Sequence, residues 1–183
     1  TGETAVVTIT FTEPVAGFAL DDLQAENGTL SNLSSPQNGP NGSILYTATF
    51  TPNQNVEDSS NLISLAADAY TDAAGNAGSA AASTGFAIDT KAPTASITVS
   101  KPAIKAGEAV WADITFSEPV KGFAVTDLIA ENGTLFNLSA PVANADGSET
   151  YTVFYLPTHN VEDSSNVITL VAASTTDAAG NAG

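Results

Sequence analysis

The chain contains an internal repeat, and this repeat constrains the fold more than any other feature of its 183 residues. Residues 1–78 align without a gap to residues 106–183, and about 46 of these 78 positions carry the same residue in both copies. FTEPVAGFALDDLQAENGTLSNLS lies over FSEPVKGFAVTDLIAENGTLFNLS, and TDAAGNAG recurs unchanged. A period of about 105 residues predicts two tandem modules rather than one larger domain.

Neither copy covers the whole period. The first has no counterpart of residues 89–105, and the second has none of residues 79–88. We therefore expect one module at 1–88 that lacks its first strand and another at 89–183 that lacks its last strand, both cut from a longer periodic array. An open sheet edge at each outer end would be exposed to pairing or aggregation unless neighbouring material covers it.

Apolar and polar residues alternate with a period of two, which is typical of half-buried strands. In one strand of each copy, the inward positions are Ala5, Val7, Ile9 and Phe11 in the first copy and Val110, Ala112, Ile114 and Phe116 in the second. The same pattern predicts strands near 94–99, 108–117, 123–130, 134–143, 149–156 and 166–173, and a last strand near 80–88 in the first copy. Asn-Gly and Asp-Gly pairs at residues 27, 41, 132 and 146 supply the turns.

Short strands with regularly spaced turns and no helical period predict an all-β chain of two tandem immunoglobulin-like β-sandwich modules, each incomplete at one outer end. The chain has no Cys, so the Cys–Trp–Cys core of antibody domains is absent. Trp111 has the outward phase of its strand, and we expect a partly covered surface side chain there.

The chain is strongly acidic, with 20 Asp and Glu against 4 Lys and a formal net charge of −16. Such a surface repels phosphate backbones and anionic lipid, which excludes nucleic acid as a partner. No apolar run approaches the roughly 20 residues that cross a bilayer, so we expect no membrane insertion. Cations are the natural partners of this chain.

The composition also indicates that the chain is not a catalyst. With no Cys and one His, thiolate chemistry, a multi-histidine metal site and a Ser/His/Asp triad in each repeat are excluded. His159 falls in a loop and is expected to be exposed. Paired carboxylates could serve a glycosidase, but small sandwiches without large loop insertions offer no cleft. We therefore expect that the protein is not an enzyme.

Most acidic residues occupy equivalent positions in the two copies: Glu3/Glu108, Glu13/Glu118, Asp22/Asp127, Glu26/Glu131, Glu57/Glu162, Asp58/Asp163 and Asp72/Asp177. In a sandwich of this kind, Glu118 and Asp177 converge on the linker 89–93. The loop that carries Glu57 and Asp58 reaches the same junction from the first module. Gathered carboxylates repel one another, and a hard cation with six to eight oxygen ligands removes that repulsion.

The sequence therefore predicts a calcium site at the junction, with metal ligands drawn from Asp89, Glu118, Asp177, Asn181, Glu57, Asp58, Glu13 and Asp72. The alternative is that these acids are solvated loop residues, and that Asp72 and Asp177 merely favour their turns through bonds to the backbone. Asp22 and Asp127 are also candidates for local caps of the third strand.

DTKAP, FSEPVKGF, DLIAENGTL and TDAAGN, in this order and spacing, resemble the bacterial Ig-like repeats of very large surface adhesins, including RTX adhesins secreted by type I systems. The resemblance implies an extracellular, calcium-dependent extender on a bacterial cell surface, involved in cell adhesion or biofilm formation. It implies calcium ions at the junctions with adjacent repeats of the same chain, in agreement with the positions of Asp89, Glu118 and Asp177.

Two other functions remain open. The modules could bind a carbohydrate or protein ligand through strand faces or loops, although a binder should carry an exposed aromatic cluster and this chain is only 7% aromatic. Alternatively, the chain could be a filament or surface-layer subunit that a neighbour completes by donating a strand.

Overall fold

The computed structural model describes residues 3–183, which fall into two compact units, Thr1–Lys91 and Ala92–Gly183. Both units are built from strands, turns and short 3₁₀ segments, and both are immunoglobulin-like β-sandwiches, as the sequence predicts. Among residues 3–183, no helix has the length and apolar character to span a membrane.

The strands of the first unit are β1 (Ala5–Phe11), β2 (Val15–Ala16), β3 (Leu23–Ala25), β4 (Gly28–Ser31), β5 (Gln37–Asn38), β6 (Ile44–Pro52), β7 (Glu57–Asn61), β8 (Ile63–Leu65), β9 (Thr71–Asp72), β10 (Ala81–Ala82) and β11 (Phe86–Asp89). One sheet has the order β1-β6-β4, with β5 also paired to β6. The facing strands pair as β10-β8-β3 and β11-β7, and β2 pairs with β9. All of these pairs are antiparallel.

The strands of the second unit are β12 (Ala95–Val99), β13 (Val110–Phe116), β14 (Leu128–Ala130), β15 (Gly133–Phe136), β16 (Val142–Ala143), β17 (Glu149–Pro157) and β18 (Ile168–Leu170). The larger sheet has the order β12-β13-β17-β15, with β16 also paired to β17. β14 pairs with β18 on the opposite side of the core, where Leu128 packs against the buried residues of β13 and β17.

In the second unit, the alternation of apolar and polar residues along the strands places the core as expected. Val110, Ala112, Ile114 and Phe116 are all buried, and Trp111 between them is exposed. In the first unit the equivalent face is less covered: Phe11 is buried, Val7 and Ile9 are partly buried, and Ala5 is exposed. The difference follows from the sheet order, because β12 pairs with β13 whereas no strand among residues 3–91 takes the same place beside β1.

Four predicted strands prove shorter or broken, and of the segment 166–173 only Ile168–Leu170 is strand. The segment 123–130 begins with a 3₁₀ turn at Val125–Asp127, and only Leu128–Ala130 is strand. The segment 134–143 is interrupted where Asn137 takes a φ of 53°, a left-handed conformation that ends a strand. The segment 80–88 splits in two because β10 pairs with β8 and β11 pairs with β7.

The two units also differ at a segment whose sequence is the same in both. NVEDSSN forms β7 in the first unit, but residues 160–166 of the second unit contain no strand. β7 pairs only with β11, and residues 92–183, all of which the structure describes, hold no counterpart of β11. The strand at this position therefore depends on its partner.

We predict that Ile114→Ala destabilises the second unit by about 3 to 4 kcal/mol, because it leaves a cavity at a fully buried site. The equivalent change in the first unit, Ile9→Ala, is the matched control and should cost about half as much, since Ile9 is already partly exposed. Urea unfolding followed by hydrogen exchange, which resolves the two units, measures both losses. Equal losses would contradict the difference in burial.

Candidate metal site

Asp177 lies in a tight loop that the backbone closes on both sides. Lys121 N donates to Thr176 O at 2.7 Å, and Thr176 N donates to Lys121 O at 3.1 Å, which attaches the start of the loop to the segment after β13. Asp177 N then donates to Asn181 O at 3.1 Å. Gly180 turns the chain with a φ of 91°, a conformation that favours glycine.

The Asp177 side chain turns back into this loop. Asn181 N donates to Oδ1 of Asp177 at 2.8 Å, and Asn181 Nδ2 donates to Oδ2 at 2.7 Å. Only 1% of the Asp177 surface and 2% of the Asn181 surface are exposed. Burial by itself raises the pKa of Asp177, but the hydrogen bonds from Asn181, Gly180 and Ala179 outweigh it and hold the pKa below its ordinary value. The carboxylate is therefore buried and ionised at neutral pH.

Glu118 brings a second carboxyl group close to Asp177. Glu118 lies two residues after the end of β13, is partly buried, and has a carboxylate oxygen within 4.8 Å of a carboxylate oxygen of Asp177. At this separation two ionised carboxylates repel each other by roughly 3 kcal/mol at an effective dielectric constant of about 20. The second unit thus holds the acid pair that the repeat comparison predicted on one pole of the sandwich.

The first unit builds the same loop around Asp72. Ala74 N and Asn76 N each donate to Oδ1 of Asp72 at 2.8 Å, and Asn76 Nδ2 donates to Oδ2 at 2.6 Å. The Asn76 side chain is the largest cause of the lowered pKa of Asp72. Asp72 is only partly buried, however, and Asn76 and Glu13 are exposed. This loop is consequently more open to water than its counterpart at Asp177.

Asp89 and Glu57 lie opposite each other in the register of β11 and β7. Lys91 Nζ donates to Oε2 of Glu57 at 2.9 Å, with both side chains about half exposed. An exposed pair of this kind contributes roughly 0 to 1 kcal/mol, so it orients Glu57 more than it stabilises the fold.

Asp58 has a local role. Its Oδ1 accepts from Ser60 N at 2.9 Å, and its Oδ2 accepts from Asn27 Nδ2 at 3.1 Å. Asp163 repeats both contacts in the second unit, and the pKa of Asp163 is lowered first by the backbone bond from Ser165 and then by its side chain. In both units this carboxylate therefore connects its own loop to a second turn, the one between β3 and β4 or between β14 and β15, whether or not β7 forms.

Asp22 and Asp127 also act locally. Each accepts a hydrogen bond from a backbone N–H three residues earlier, from Ala19 N to Asp22 Oδ2 at 2.7 Å and from Ala124 N to Asp127 Oδ2 at 2.8 Å. They stabilise the 3₁₀ turns that lead into β3 and β14. His159 is exposed in its loop, as expected.

The sequence analysis missed two features, a buried polar residue and a row of exposed aromatic side chains. Thr175 is buried, and its hydroxyl has no hydrogen-bond partner among residues 3–183. On the outer face of the second unit, Trp111 of β13 is opposite Phe154 of β17, which is opposite Phe136 of β15. These three aromatic side chains are 51%, 37% and 36% exposed, in that order. The alternation in YTVFYLP, with Tyr151, Val153 and Tyr155 inward, was the signal that Phe154 faces outward.

The architecture and the two repeated loops agree with the comparison to known families. The family described as bacterial Ig-like domain matches residues 1–88 and again residues 89–183. The chain belongs to this family. No curated protein and no solved structure matches it. Bacterial Ig-like domains are typically not enzymes, and the family assignment accounts for both the tandem repeat and the β-sandwich of each unit.

In calcium-free buffer, we predict that acid weakens the second unit through Asp177. Its folded pKa lies below the unfolded value of 3.8, so its ionised form favours folding; this contribution is complete above pH 3.8 and is lost as the pH falls through the folded pKa. Asp177→Asn should lower the melting temperature at neutral pH. It should also make the melting temperature depend less on pH in the acid range. A wild-type pH profile in Asp177→Asn would refute the assignment.

Proposed function

We propose that the chain is a pair of calcium-rigidified spacer modules from a bacterial surface adhesin. A calcium ion bound by Asp89, Glu118, Asp177 and Asn181 restrains the segment that connects the two modules. The modules then act as an extender that holds a separate adhesive part away from the cell, in cell adhesion or biofilm formation. This role requires an extracellular location, where millimolar calcium is available.

The observation that carries this proposal is the buried, ionised carboxylate of Asp177 with a second carboxylate within 4.8 Å. The hydrogen bonds from Asn181 and the loop backbone keep Asp177 charged despite its burial. Calcium, which takes six to eight oxygen ligands and accepts carboxylates in mono- or bidentate form, suits the pair best.

Neutral oxygens are available in the same loop. The side-chain amide of Asn181 points its nitrogen at Asp177, and amide oxygens are common calcium ligands. Thr175 is two residues before Asp177, and its buried hydroxyl has no hydrogen-bond partner among residues 3–183. This hydroxyl is a further candidate oxygen ligand in the proposal.

Asp89 is included as a ligand because of the path that the chain takes into the second unit. Thr94 N donates to Ser117 Oγ at 3.0 Å, and Ser117 N donates to Thr94 O at 2.8 Å, so the chain enters beside Glu118. Pro93 adjoins the end of the Asp177 loop, since a Cβ added to Gly183 would lie 2.9 Å from Pro93 Cγ. Asp89 is five residues before Thr94, a span of at most about 18 Å.

The remaining predicted ligands, Glu57, Asp58, Glu13 and Asp72, stay predictions. Asp58 and Asp72 already accept hydrogen bonds from their own loops. The family membership and the net charge of −16 support an extracellular spacer rather than a binder of anionic partners.

We expect calcium at about 5 mM to stabilise the second unit by about 1 to 2 kcal/mol relative to EDTA, if the dissociation constant is about 10⁻³ to 10⁻⁴ M as in extracellular modules. For a unit of this size the melting temperature would rise by roughly 5 to 15 °C. Differential scanning calorimetry with calcium, magnesium or EDTA measures the rise.

Matched variants separate the site from general charge screening. Glu118→Gln and Asp89→Asn should abolish the calcium-dependent rise, whereas Asp21→Asn, an exposed change outside the predicted ligands, should retain it. Small-angle scattering of the wild type should report a narrower range of dimensions in calcium than in EDTA. An equal rise in all variants, or none in the wild type, would reject the calcium site.

The aromatic row of Trp111, Phe154 and Phe136 favours a second candidate function, carbohydrate binding by the second unit. Sugar rings stack on exposed aromatic faces, and these side chains lie on adjacent strands of one sheet. Phe136 and Phe154 are already stacked, with ring centroids 5.8 Å apart and 27° between the planes. The first unit carries Val6, Thr49 and Ser31 at the equivalent positions, so this surface belongs to one copy only.

The chain has one tryptophan, and it reports on this surface directly. If the second unit binds glycans, the fluorescence of Trp111 should change saturably with a glycan selected from an array, and Phe154→Thr, which installs the residue of the first unit, should weaken the binding at least tenfold. Val142→Thr, an exposed change on β16, serves as the control. An array without hits would favour the spacer alone.

A further inference from the structure

The sequence contains the pair Asn-Gly in four places, at Asn27, Asn38, Asn41 and Asn132. Asparagine is a chemically labile residue, and a following glycine favours its reaction, because no side chain shields the glycine nitrogen from the side-chain carbonyl carbon of the asparagine. The attack requires both the amide side chain and the peptide bond after it to rotate. The surroundings of each pair therefore decide whether it can react.

Hydrogen bonds and packing hold the pair at Asn27. Its Nδ2 donates to Oδ2 of Asp58 at 3.1 Å and to Oδ1 of Asn61 at 2.7 Å. Gly28 begins β4, and its backbone lies so close to the ring of Phe50 that a Cβ built on this glycine would collide with the ring. Neither the side chain nor the peptide bond at this pair is free to rotate.

The pair at Asn132 is held in the same way in the second unit. Asn132 Nδ2 donates to Oδ2 of Asp163 at 3.1 Å and to Oδ1 of Asn166 at 2.7 Å. A Cβ built on Gly133 would collide with the ring of Tyr155. Both copies of this turn thus restrain their asparagine.

The pair at Asn38 is held by the backbone. Asn38 pairs with Ile44 in the register of β5 and β6. Gly39 N, the atom that would attack, instead donates to Ser43 O at 2.8 Å. A Cβ built on Gly39 would collide with Leu45 Cδ1, so this glycine is packed against its neighbours.

The pair at Asn41 is far less restrained. Asn41 and Gly42 are both exposed, in the turn between β5 and β6. The Asn41 side chain makes no hydrogen bond within residues 3–183. A Cβ built on Gly42 would meet no atom within 4 Å outside its chain neighbours. The side chain and the peptide bond after it therefore both have room to rotate.

The equivalent turn of the second unit is exposed as well. Asp146-Gly147 takes the place of Asn41-Gly42 there, and both residues are exposed although β12 is present in the adjoining sheet. Exposure is therefore a property of this turn in either module. Asp146 Oδ1 accepts from Ser148 N at 3.1 Å and from Ser148 Oγ at 2.7 Å, so the turn accommodates an aspartate at this position.

We propose that Asn41 is a site of spontaneous deamidation, a covalent modification that needs no enzyme and only water as co-reactant. In the first step, the backbone nitrogen of Gly42 attacks Cγ of Asn41 and gives up its proton. The bond between Cγ and Nδ2 then breaks, and Nδ2 leaves as ammonia with that proton. The product is a cyclic succinimide.

In the second step, a water molecule opens the succinimide. Its hydroxyl group adds to a carbonyl carbon and its remaining hydrogen goes to the ring nitrogen, so no atom is oxidised or reduced. Attack on Cγ yields aspartate, the residue type that the second unit has in this turn. Attack on the main-chain carbonyl carbon yields isoaspartate, in which the backbone continues through the side chain.

Each event replaces a neutral amide by a carboxylate and adds one negative charge to the first unit. The isoaspartate product also inserts a methylene group into the backbone of the turn between β5 and β6. The modification is independent of the proposed calcium site, because Asn41 is not among the predicted ligands.

Peptide mapping by mass spectrometry, after incubation of the full chain in warm neutral buffer made with oxygen-labelled water, tests the proposal. We expect Asn41 to be converted roughly tenfold or more faster than Asn27, Asn38 and Asn132. The products should be a mixture of aspartate and isoaspartate, each with one labelled oxygen, because both arise from the ring. The same incubation in urea unfolds the chain and should bring the four rates close together, since only the fold distinguishes the four pairs.

Gly42→Ala and Gly147→Ala form a matched pair of variants in equivalent turns. The methyl group added at position 42 hinders the attacking nitrogen, so Gly42→Ala should slow the conversion of Asn41 by about tenfold or more. Gly147→Ala should leave the rate at Asn41 unaltered. Both glycines have a positive φ, so the rate in urea is measured as well. Gly42→Ala should lower that rate too, which separates hindrance of the attack from a changed turn.

Several results would overturn the proposal. Comparable rates at the four pairs of the folded chain, or faster conversion at Asn38, would mean that the turn gives Asn41 no advantage. Conversion of Asn41 in urea alone would mean that the folded turn protects it. A product that contains only aspartate, or a wild-type rate in Gly42→Ala, would refute the attack by the glycine nitrogen.

Discussion

A carboxylate is costly to bury, and the functional account of this protein depends on how Asp177 is buried. Asn181 and the backbone of its own loop supply the hydrogen bonds that keep the group ionised, so the loop fixes a negative charge inside the second unit. A carboxylate oxygen of Glu118 then lies within 4.8 Å of a carboxylate oxygen of Asp177. Hydrogen bonds within the loop cannot remove the repulsion between the two. The proposed cation site rests on this pair, because carboxylate oxygens are the ligands that hard cations prefer.

The second constraint is that every strand of these small sandwiches depends on a neighbour. β12 covers β13, and Ile114 is fully buried; without an equivalent strand among residues 3–91, Ile9 remains partly exposed. NVEDSSN is a strand beside β11 and irregular without it. Secondary structure here is set by pairing partners more than by local propensity, since identical residues take different conformations in the two units.

The sequence predicted the architecture well because the internal repeat and the strand alternation can both be read from residue order alone. Gapless self-alignment defined the repeat, and alternation in residues such as Val110 to Phe116 defined the inward face. Strand ends were predicted less well, because they depend on left-handed residues such as Asn137 and on 3₁₀ turns stabilised by Asp22 and Asp127. For the candidate site, the recurrence of Glu118 and Asp177 identified the acid pair. The burial of Asp177 and the stacking of Phe136 on Phe154 depend on packing across strands, which no local pattern encodes.

A crystal grown in millimolar calcium, with anomalous differences measured at long wavelength, tests the central claim most directly. The account predicts one strong peak in the second unit, with oxygens of Glu118 and Asp177 at about 2.3 to 2.6 Å and Asp89 completing the set of carboxylates. Density consistent only with water between Glu118 and Asp177, or a peak bound to other residues, would contradict it.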